Sequence, residues 1–327
     1  MTMRQGGAVA RGFITVVLAG TAAVAMAQQA AYPVKPVRVI VPFAPGGTTD
    51  TAWRIVGPKL AEALGQQVVI DNRPGAGSTL GAALLGQSPA DGYTLLGTAN
   101  VHALSGSVYK VAYHPVNDFV PIAQMAEQCA VLVVHPSLPV RTPREFIALA
   151  KSRPGEIDFA TTGVGTGQHM FMALLMSMTG TRLNHVPYRG VAQSVPDLIA
   201  GRVQVKIAGA SILIPHIQNG RLRAVAVSSA RRSQFLPEVP TLDEGGVKGY
   251  EATLREGVFA RSGTPAEIVA RLEREIMKIV AAPDVQKSLL AAGGEPNYAS
   301  AAQWGAHVAA EYAKWTRLVK EIGIKVE

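Results

Sequence analysis

Short apolar segments alternate with segments of helical periodicity along the first part of the chain. Apolar runs lie at residues 37–43, 67–72 and 93–98, and apolar positions recur every three or four residues at 49–64 and 78–87. This alternation is typical of βαβ units, in which helices cover a mainly parallel sheet. The pattern therefore predicts an α/β fold.

The same alternation returns after an apolar run at 129–134, although the two blocks share no obvious residue identity. The second block contains predicted strands at 158–162, 185–188, 203–207 and 222–227 and predicted helices at 168–178, 193–200 and 213–218. The chain is long enough for two domains of ordinary size. We therefore expect two lobes, each a mainly parallel sheet flanked by helices.

Capping boxes indicate where two helices begin, and a third helix is predicted from Ser300. A Thr followed three residues later by Glu stands at 142–145 and 264–267, and this spacing lets both side chains satisfy free amides at a helix N-terminus. The segment 300–303 opens a last long helix. Aromatic residues in the last of these helices share one face, which predicts a packed core stripe. These residues are Trp304, Tyr312 and Trp315.

The N-terminal segment 1–27 has the three parts of a secretory signal. Arg4 and Arg11 precede an apolar run at 12–25, and Ala25-Met26-Ala27 matches the small-residue site that signal peptidase cleaves. The apolar run is shorter than the roughly 20 residues that span a bilayer, which argues against a membrane anchor. We therefore predict a signal peptide and export to the periplasm.

The distribution of charge favours small anionic partners over nucleic acid. The formal net charge is +8, but Lys and Arg are scattered and never form a run of five, and aromatic residues make up only 6% of the chain. A nucleic-acid surface usually clusters its basic residues, whereas a diffuse positive field attracts small anions.

Signatures of catalysis and of cofactor binding are absent from the sequence. The glycine-rich segment 163–167 lacks the final glycine of a dinucleotide loop, because Gln168 stands there, and the pair Gly75 and Gly77 is followed by Leu80 where a glycine is required. There is no phosphate-binding lysine motif, no zinc-type His-Glu-x-x-His motif and no nucleophile elbow. We therefore predict no catalytic residue, no metal and no cofactor.

Two loops have the composition of a carboxylate-binding site. Residues 42–50 and 161–169 each join the end of a predicted strand to the start of a helix, and ligands bind at such carboxyl ends in open α/β sheets. Glycines allow close approach of the backbone, and a helix N-terminus attracts anions. One such loop could equally be an ordinary turn with Thr and Asp as caps. Two of them, one in each block, favour a shared cleft.

Several long motifs, in order along the chain, resemble the Bug family of periplasmic substrate-binding proteins of tripartite tricarboxylate transporters. The motifs include Val-Pro-Phe-Ala-Pro-Gly-Gly at 41–47 with Thr49-Asp50, Tyr-Pro-Val-Lys-Pro at 32–36, Asn-Arg-Pro-Gly-Ala-Gly at 72–77, Ala-Asp-Gly-Tyr-Thr-Leu at 90–95, His-Val-Pro-Tyr-Arg-Gly at 185–190, Asp-Leu-Ile-Ala-Gly at 197–201 and Val-Pro-Thr-Leu at 239–242. The resemblance covers essentially all of the chain after the predicted signal peptide.

The resemblance implies a two-lobe periplasmic binding protein of the Venus-flytrap, type II-like class. Chain crossovers are expected near Gln128 and Val258, so that one lobe combines 28–127 with 258–327 and the other contains 128–257. Its implied partners are a small organic carboxylate and membrane transporter subunits, and the chain is expected to be a monomer. A sensor protein in place of the transporter, or a periplasmic enzyme acting on a carboxylate, are the alternatives.

The resemblance also implies that the two loops hold the carboxylate, largely through backbone amides. The predicted ligand-binding residues are Phe43, Ala44, Gly46, Gly47, Thr48, Thr49, Thr161, Thr162, Gly163, Gly165, Thr166, His169 and Ala208. Asp50 is interpreted as a helix cap, since its carboxylate would repel an anion. His169 either donates to the ligand or supports the loop from behind.

Three positions depart from the family pattern. Trp53 replaces a small residue and either enters the pocket or fills the adjacent core, and Arg255 replaces a tryptophan before the second crossover. Ala208 stands where many members have an aspartate, and loss of a pocket carboxylate removes a partner for an ammonium group. We therefore predict a ligand without an amino group.

Overall fold

The structure, a computed structural model, describes residues 1–2 and 32–324, so the predicted signal peptide lies outside the described residues apart from its first two. The strands are β1 (Val37–Val41), β2 (Val68–Asn72), β3 (Thr94–Ala99), β4 (Phe119–Val134), β5 (Asp158–Thr161), β6 (Asn184–Pro187), β7 (Val205–Gly209), β8 (Arg223–Val227), β9 (Thr253–Arg261) and β10 (Ala299–Ser300).

The helices are α1 (Thr48–Leu64), α2 (Thr79–Gln87), α3 (Val101–Val108), α4 (Pro143–Ser152), α5 (Gly167–Thr179), α6 (Val191–Ile199), α7 (Ala210–Gln218), α8 (Ala266–Ala281), α9 (Pro283–Ala291) and α10 (Ala301–Ile322), with a 3₁₀ turn at Ala76–Ser78. Within the described part of the chain, none of these helices combines the length and apolarity needed to cross a bilayer.

The fold is α/β with two lobes, as the pattern predicts. Parallel pairs form the outer part of each half of the sheet, β1 with β2 and β3 in the first half and β5 with β6 and β7 in the second. The long strand β4 joins the halves, because it pairs antiparallel with β9 as far as Cys129 and with β7 and β8 from Ala130 onward. The exact residue limits of the lobes stay a prediction.

Helix α10 packs against the cores of both halves. Trp304 near its start is fully buried, with its ring 5.4 Å from Phe259 of β9. Trp315 near its end is also buried and stacks 5.9 Å from Phe171 of α5. The predicted aromatic stripe is therefore core at both tryptophans, whereas Tyr312 between them is only half-buried. One helix thus links the two halves of the molecule.

Of the two predicted capping boxes, the one at the start of α4 is present, and α10 also begins with a capping box, at Ser300. The one predicted at 264–267 is wrong. The Thr264 hydroxyl donates instead to the carbonyl of Arg261, and α8 begins after Pro265 without a side-chain cap. The hydroxyl therefore closes the turn that follows β9 and does not start the helix.

Candidate functional site

A cleft of about 310 Å³ lies between the N-terminal ends of α1 and α5, a volume at the lower end of those of small-molecule sites. The first-lobe loop contributes Phe43, Gly47, Thr48 and Thr49, and the second-lobe loop and α5 contribute Thr162, Thr166, Gly167, Gln168 and Phe171. The crossing strands β4 and β9 contribute Gln128, Ala130, Leu254 and Glu256. The rest of the lining consists of Gly77, Ala99, Val101, Ser105, Ala208, Gly209 and Ile212. Most of these side chains are apolar, hydroxyl-bearing or amide-bearing, so the cleft suits a small molecule with few polar groups.

The amides at the start of α1 face the cleft without a side-chain cap. Its N-cap residue is Gly47, and no side chain accepts from its first turn, in contrast to α4 and α10. Asp50 accepts from the Gly46 amide at 2.8 Å, from Arg54 Nε at 2.8 Å and from Asn72 Nδ2 at 2.9 Å. These bonds hold the pKa of Asp50 below its ordinary value despite its burial. The Asp50 carboxylate therefore fixes the loop and does not line the cleft. The prediction that it caps the helix is wrong, because it accepts from the Gly46 amide before the helix and from no amide of the first turn.

The second loop is held by hydrogen bonds within itself. The Thr166 hydroxyl donates to the Gly163 carbonyl at 2.8 Å, so α5 also begins without a side-chain cap. The Gly165 amide donates to His169 Nδ1 at 3.0 Å, and the His169 ring stacks 4.1 Å from His185. Burial lowers the pKa of His169 from 6.5 to about 4, which keeps Nδ1 free to accept this bond. In this structure His169 supports the loop from behind.

The predicted ligand residues divide into two groups. Those that line the cleft are Phe43, Gly47, Thr48, Thr49, Thr162, Thr166 and Ala208. Those that form the loops behind the lining are Ala44, Gly46, Thr161, Gly163, Gly165 and His169. Contact with a ligand stays a prediction for every one of them.

Four polar residues of the cleft were not predicted from the sequence, and they are Ser105, Gln128, Gln168 and Glu256. Gln128 Nε2 donates to the Thr48 hydroxyl at 2.9 Å and so joins the crossing strand β4 to the first-lobe loop. Gln168 lies in the first turn of α5, and Glu256 lies on β9. Leu254 and Glu256 line the cleft while Arg255 between them does not, but two consecutive charged residues interrupt the apolar alternation that would have indicated this strand.

Lys206 places a buried cation behind the second-lobe loop. Its side chain is fully buried on β7, and its ammonium donates to Gln168 Oε1 at 2.8 Å. No carboxylate of the described residues forms an ion pair with it, and desolvation lowers its pKa from 10.5 to about 8. Because Oε1 of Gln168 is engaged by the lysine, its amide group is left to donate elsewhere. Lysine and glutamine together make this wall attractive to an anion.

Two of the unusual positions lie outside the cleft. Trp53 is fully buried in the first-lobe core, against β3, where a Cβ on Gly97 would lie only 1.9 Å from its indole nitrogen. The indole therefore fills the core and does not enter the pocket. Arg255 pairs with Glu251 at 2.5 Å and lies 3.6 Å from Glu127. Within residues 32–324 no group of His, Cys, Asp and Glu has the arrangement of a metal site.

Acid is expected to loosen the second loop through His169. An unfolded chain protonates this histidine near pH 6.5 and the native protein only near 4, so the free energy of unfolding falls as pH drops through this interval, by at most about 1.4 kcal/mol per pH unit from this residue. Urea unfolding at several pH values checks this. His169→Gln should flatten the profile, and an unchanged slope in that variant would contradict the assignment.

The chain is similar to known proteins over most of its length. The family model described as the tripartite tricarboxylate transporter family receptor matches residues 52–324. The chain is 41% identical over 273 residues, 81% of each chain, to the UPF0065 protein in the tcbD-tcbE intergenic region of Pseudomonas sp. strain P51. Among solved structures it is similar to Rpa4515 of R. palustris with adipate (35% identity, TM-score 0.77, covering 90% of this chain and 99% of that one). It is also similar to the periplasmic binding protein BugD (30% identity, TM-score 0.75, covering 90% and 100%).

Proposed function

Because the chain belongs to the tripartite tricarboxylate transporter receptor family, we propose that it captures a small organic carboxylate in the cleft between its lobes and releases it unchanged. The observation that carries this proposal is the construction of the cleft walls. Two of the helices that begin at the cleft, α1 and α5, face each other across it and lack side-chain caps, and the uncompensated cation of Lys206 lies behind the second wall.

Each of these features favours negative charge. Free amides and the helix dipole stabilise an anion at a helix N-terminus, and an unpaired buried ammonium is costly until an anion lies near it. The hydroxyls of Thr48, Thr162 and Thr166 add neutral donors or acceptors along the same walls. A ligand with a carboxylate between α1 and α5 would accept hydrogen bonds from the free amides and supply a negative charge for the Lys206 ammonium.

A dicarboxylate is the ligand that we favour. Two helix N-termini on opposite walls suit a molecule with an acidic group at each end, and the related protein Rpa4515 was solved with adipate. The absence of a carboxylate at Ala208 supports a ligand without an amino group. The panel that tests this, called here the dicarboxylate panel, consists of succinate, glutarate and adipate.

Membership of the family supports delivery to a membrane transporter. We propose export to the periplasm by the segment 1–27, closure of the lobe 128–257 on the lobe formed by 28–127 and 258–327, and release to transporter subunits. A hinge motion of this kind presents a different surface in the closed state. A sensor protein as recipient of the closed form is the alternative.

Binding of the dicarboxylate panel is expected to raise thermal stability. A ligand that binds only the native state, at about 100 times its dissociation constant, stabilises by roughly 2.7 kcal/mol. A melting scan of the signal-free protein with the dicarboxylate panel and with matched monocarboxylates and amines measures this. If no carboxylate of any kind shifts the melting temperature, the proposed function is wrong.

A further inference from the structure

Glu256 is a buried carboxyl group on a crossing strand at the cleft, and it has no assigned role. It lies on β9, is 2% exposed and lines the cleft. The Thr49 hydroxyl hydrogen-bonds one side of the carboxyl, whereas Oε2 has no hydrogen-bond partner among the described residues. A buried, unpaired polar oxygen in a binding cleft costs free energy, and a ligand group that bonds to it would remove that cost.

The neighbours of Glu256 supply no cation to stabilise its charged form. Its register partners on β3 and β4 are Ala99 and Ala126, and α2, which also packs on β9, contains no titratable residue. On β4, α1, α3 and α10, Arg54 pairs with Asp50, Lys314 pairs with Glu311, and Glu127 accepts from Asn297. Burial holds Cys129, His102 and His307 neutral. The other charged residues of these elements are exposed, and they are Lys59, Glu62, Arg317, Lys320 and Glu321. Across the cleft, the Lys206 ammonium donates to Gln168.

Burial consequently raises the pKa of Glu256 to about 7, with the Thr49 bond opposing the rise. A second negative charge in the same cleft would be repelled by an ionised Glu256 and would favour its neutral form further. A neutral carboxylic acid is a hydrogen-bond donor, and a carboxylate oxygen is a strong acceptor. The two groups are therefore complementary only when one proton is held between them.

We propose that Glu256 binds one carboxylate of the ligand as a neutral acid, so that capture of a dicarboxylate takes up a proton. The proton comes from solvent and resides on Oε2, and no covalent bond changes. This inference rests on the proposed function, since it assigns a partner to one end of a dicarboxylate. It makes the cleft selective for a doubly acidic ligand and makes capture weaker in alkaline solution.

Titration calorimetry in buffers of different ionisation enthalpy counts the protons taken up. At about pH 8 we expect the wild type to take up about one proton more than Glu256→Gln when each binds the tightest ligand of the dicarboxylate panel. Glutamine imitates the neutral acid as a hydrogen-bond donor but cannot take up a proton. The wild-type affinity should fall about tenfold per pH unit above pH 7, and this dependence should be reduced in the variant. Proton uptake through Lys206 is common to both proteins and cancels in the comparison.

Thr49→Val provides a second measurement if Glu256→Gln does not fold. Loss of the hydroxyl removes the bond that lowers the pKa of Glu256, so the pH at which affinity begins to fall should move upward. Equal proton uptake in wild type and Glu256→Gln would overturn the proposal while leaving carboxylate binding intact. So would tighter binding of 4-aminobutyrate than of the panel, lost in Glu256→Gln, because Glu256 would then pair with an ammonium. Failure of every carboxylate to bind either protein would instead reject the proposed function.

Discussion

Replacement of Lys206 by methionine is expected to weaken carboxylate binding by about ten- to a hundredfold. An ammonium about 6 Å from a carboxylate, at the effective dielectric constant of partly buried sites, contributes about 2–3 kcal/mol, and each tenfold in affinity corresponds to about 1.4 kcal/mol. The variant also frees Gln168 Oε1, which lysine engages at 2.8 Å, so the glutamine amide is no longer held as a donor.

The same substitution is expected to stabilise the ligand-free protein. The pKa of Lys206 is lowered from 10.5 to about 8 by burial, so near pH 7 the native state carries a charge that it disfavours, and methionine keeps the hydrocarbon without it. A gain of about 1–3 kcal/mol in the free energy of unfolding follows. In the wild type the free energy of unfolding should rise as pH increases from about 8 to 10.5. In this interval Lys206 is still protonated in the unfolded chain but not in the native protein.

Titration calorimetry and urea unfolding on one preparation test both predictions for Lys206→Met, the weaker binding and the higher free energy of unfolding. Lys151→Met is the matched control, because Lys151 is an exposed lysine of α4 and its loss should change neither quantity. Unchanged affinity in Lys206→Met would show that the buried ammonium does not act on the ligand. A lower free energy of unfolding in ligand-free Lys206→Met would show that Lys206 stabilises the fold.

Trp315→Ala is expected to lower the free energy of unfolding by about 3–5 kcal/mol, the usual cost of removing a buried large aromatic side chain. The indole is 1% exposed, stacks on Phe171 and donates from Nε1 to Glu311 Oε2 at 2.8 Å. Because Phe171 lines the cleft, the cavity left behind should also weaken ligand binding. The fold and the site thus share one contact between α10 and α5.

Trp315→Phe separates ring packing from the hydrogen bond. It keeps an aromatic ring against Phe171 but removes the indole donor and part of the buried ring volume, so it should cost about 1–3 kcal/mol, less than Trp315→Ala, and leave the affinity nearly unchanged. Urea unfolding followed by calorimetry measures both quantities. Equal losses in the two variants would contradict the importance of packing between the end of α10 and the second lobe.

The loops of the site could be predicted because their geometry is local. A strand that ends, a glycine-rich turn and a helix that begins are written in consecutive residues, so Thr48, Thr162 and Thr166 were found together with their loops. Even so, the sequence did not distinguish the loop residues that line the cleft from those behind it. The position of His169, one turn into its helix, fits both a donor to the ligand and a support of the loop. Only the folded structure shows that its ring accepts from the Gly165 amide.

The polar groups deeper in the cleft could not be predicted because they meet through tertiary structure. Lys206 and Gln168 are 38 residues apart, and Glu256 reaches the cleft from a strand whose Arg255-Glu256 pair interrupts any apolar pattern. For the same reason β9 was not predicted from the sequence. Helix α3 was not predicted either, because it is only eight residues long. At 264–267 the capping pattern was misleading, because a hydroxyl before Pro265 found a nearer acceptor in the Arg261 carbonyl.

The central claim is that the cleft captures a carboxylate and returns it unchanged. The most direct measurement is to saturate the purified protein with the isotope-labelled tightest ligand of the dicarboxylate panel, incubate, remove free ligand, denature the protein and identify the released compound by mass spectrometry. We expect about one molecule per chain, of unaltered mass, and much less from Lys206→Met treated in the same way. Release of a labelled compound of different mass, or equal retention by Lys206→Met, would contradict the account.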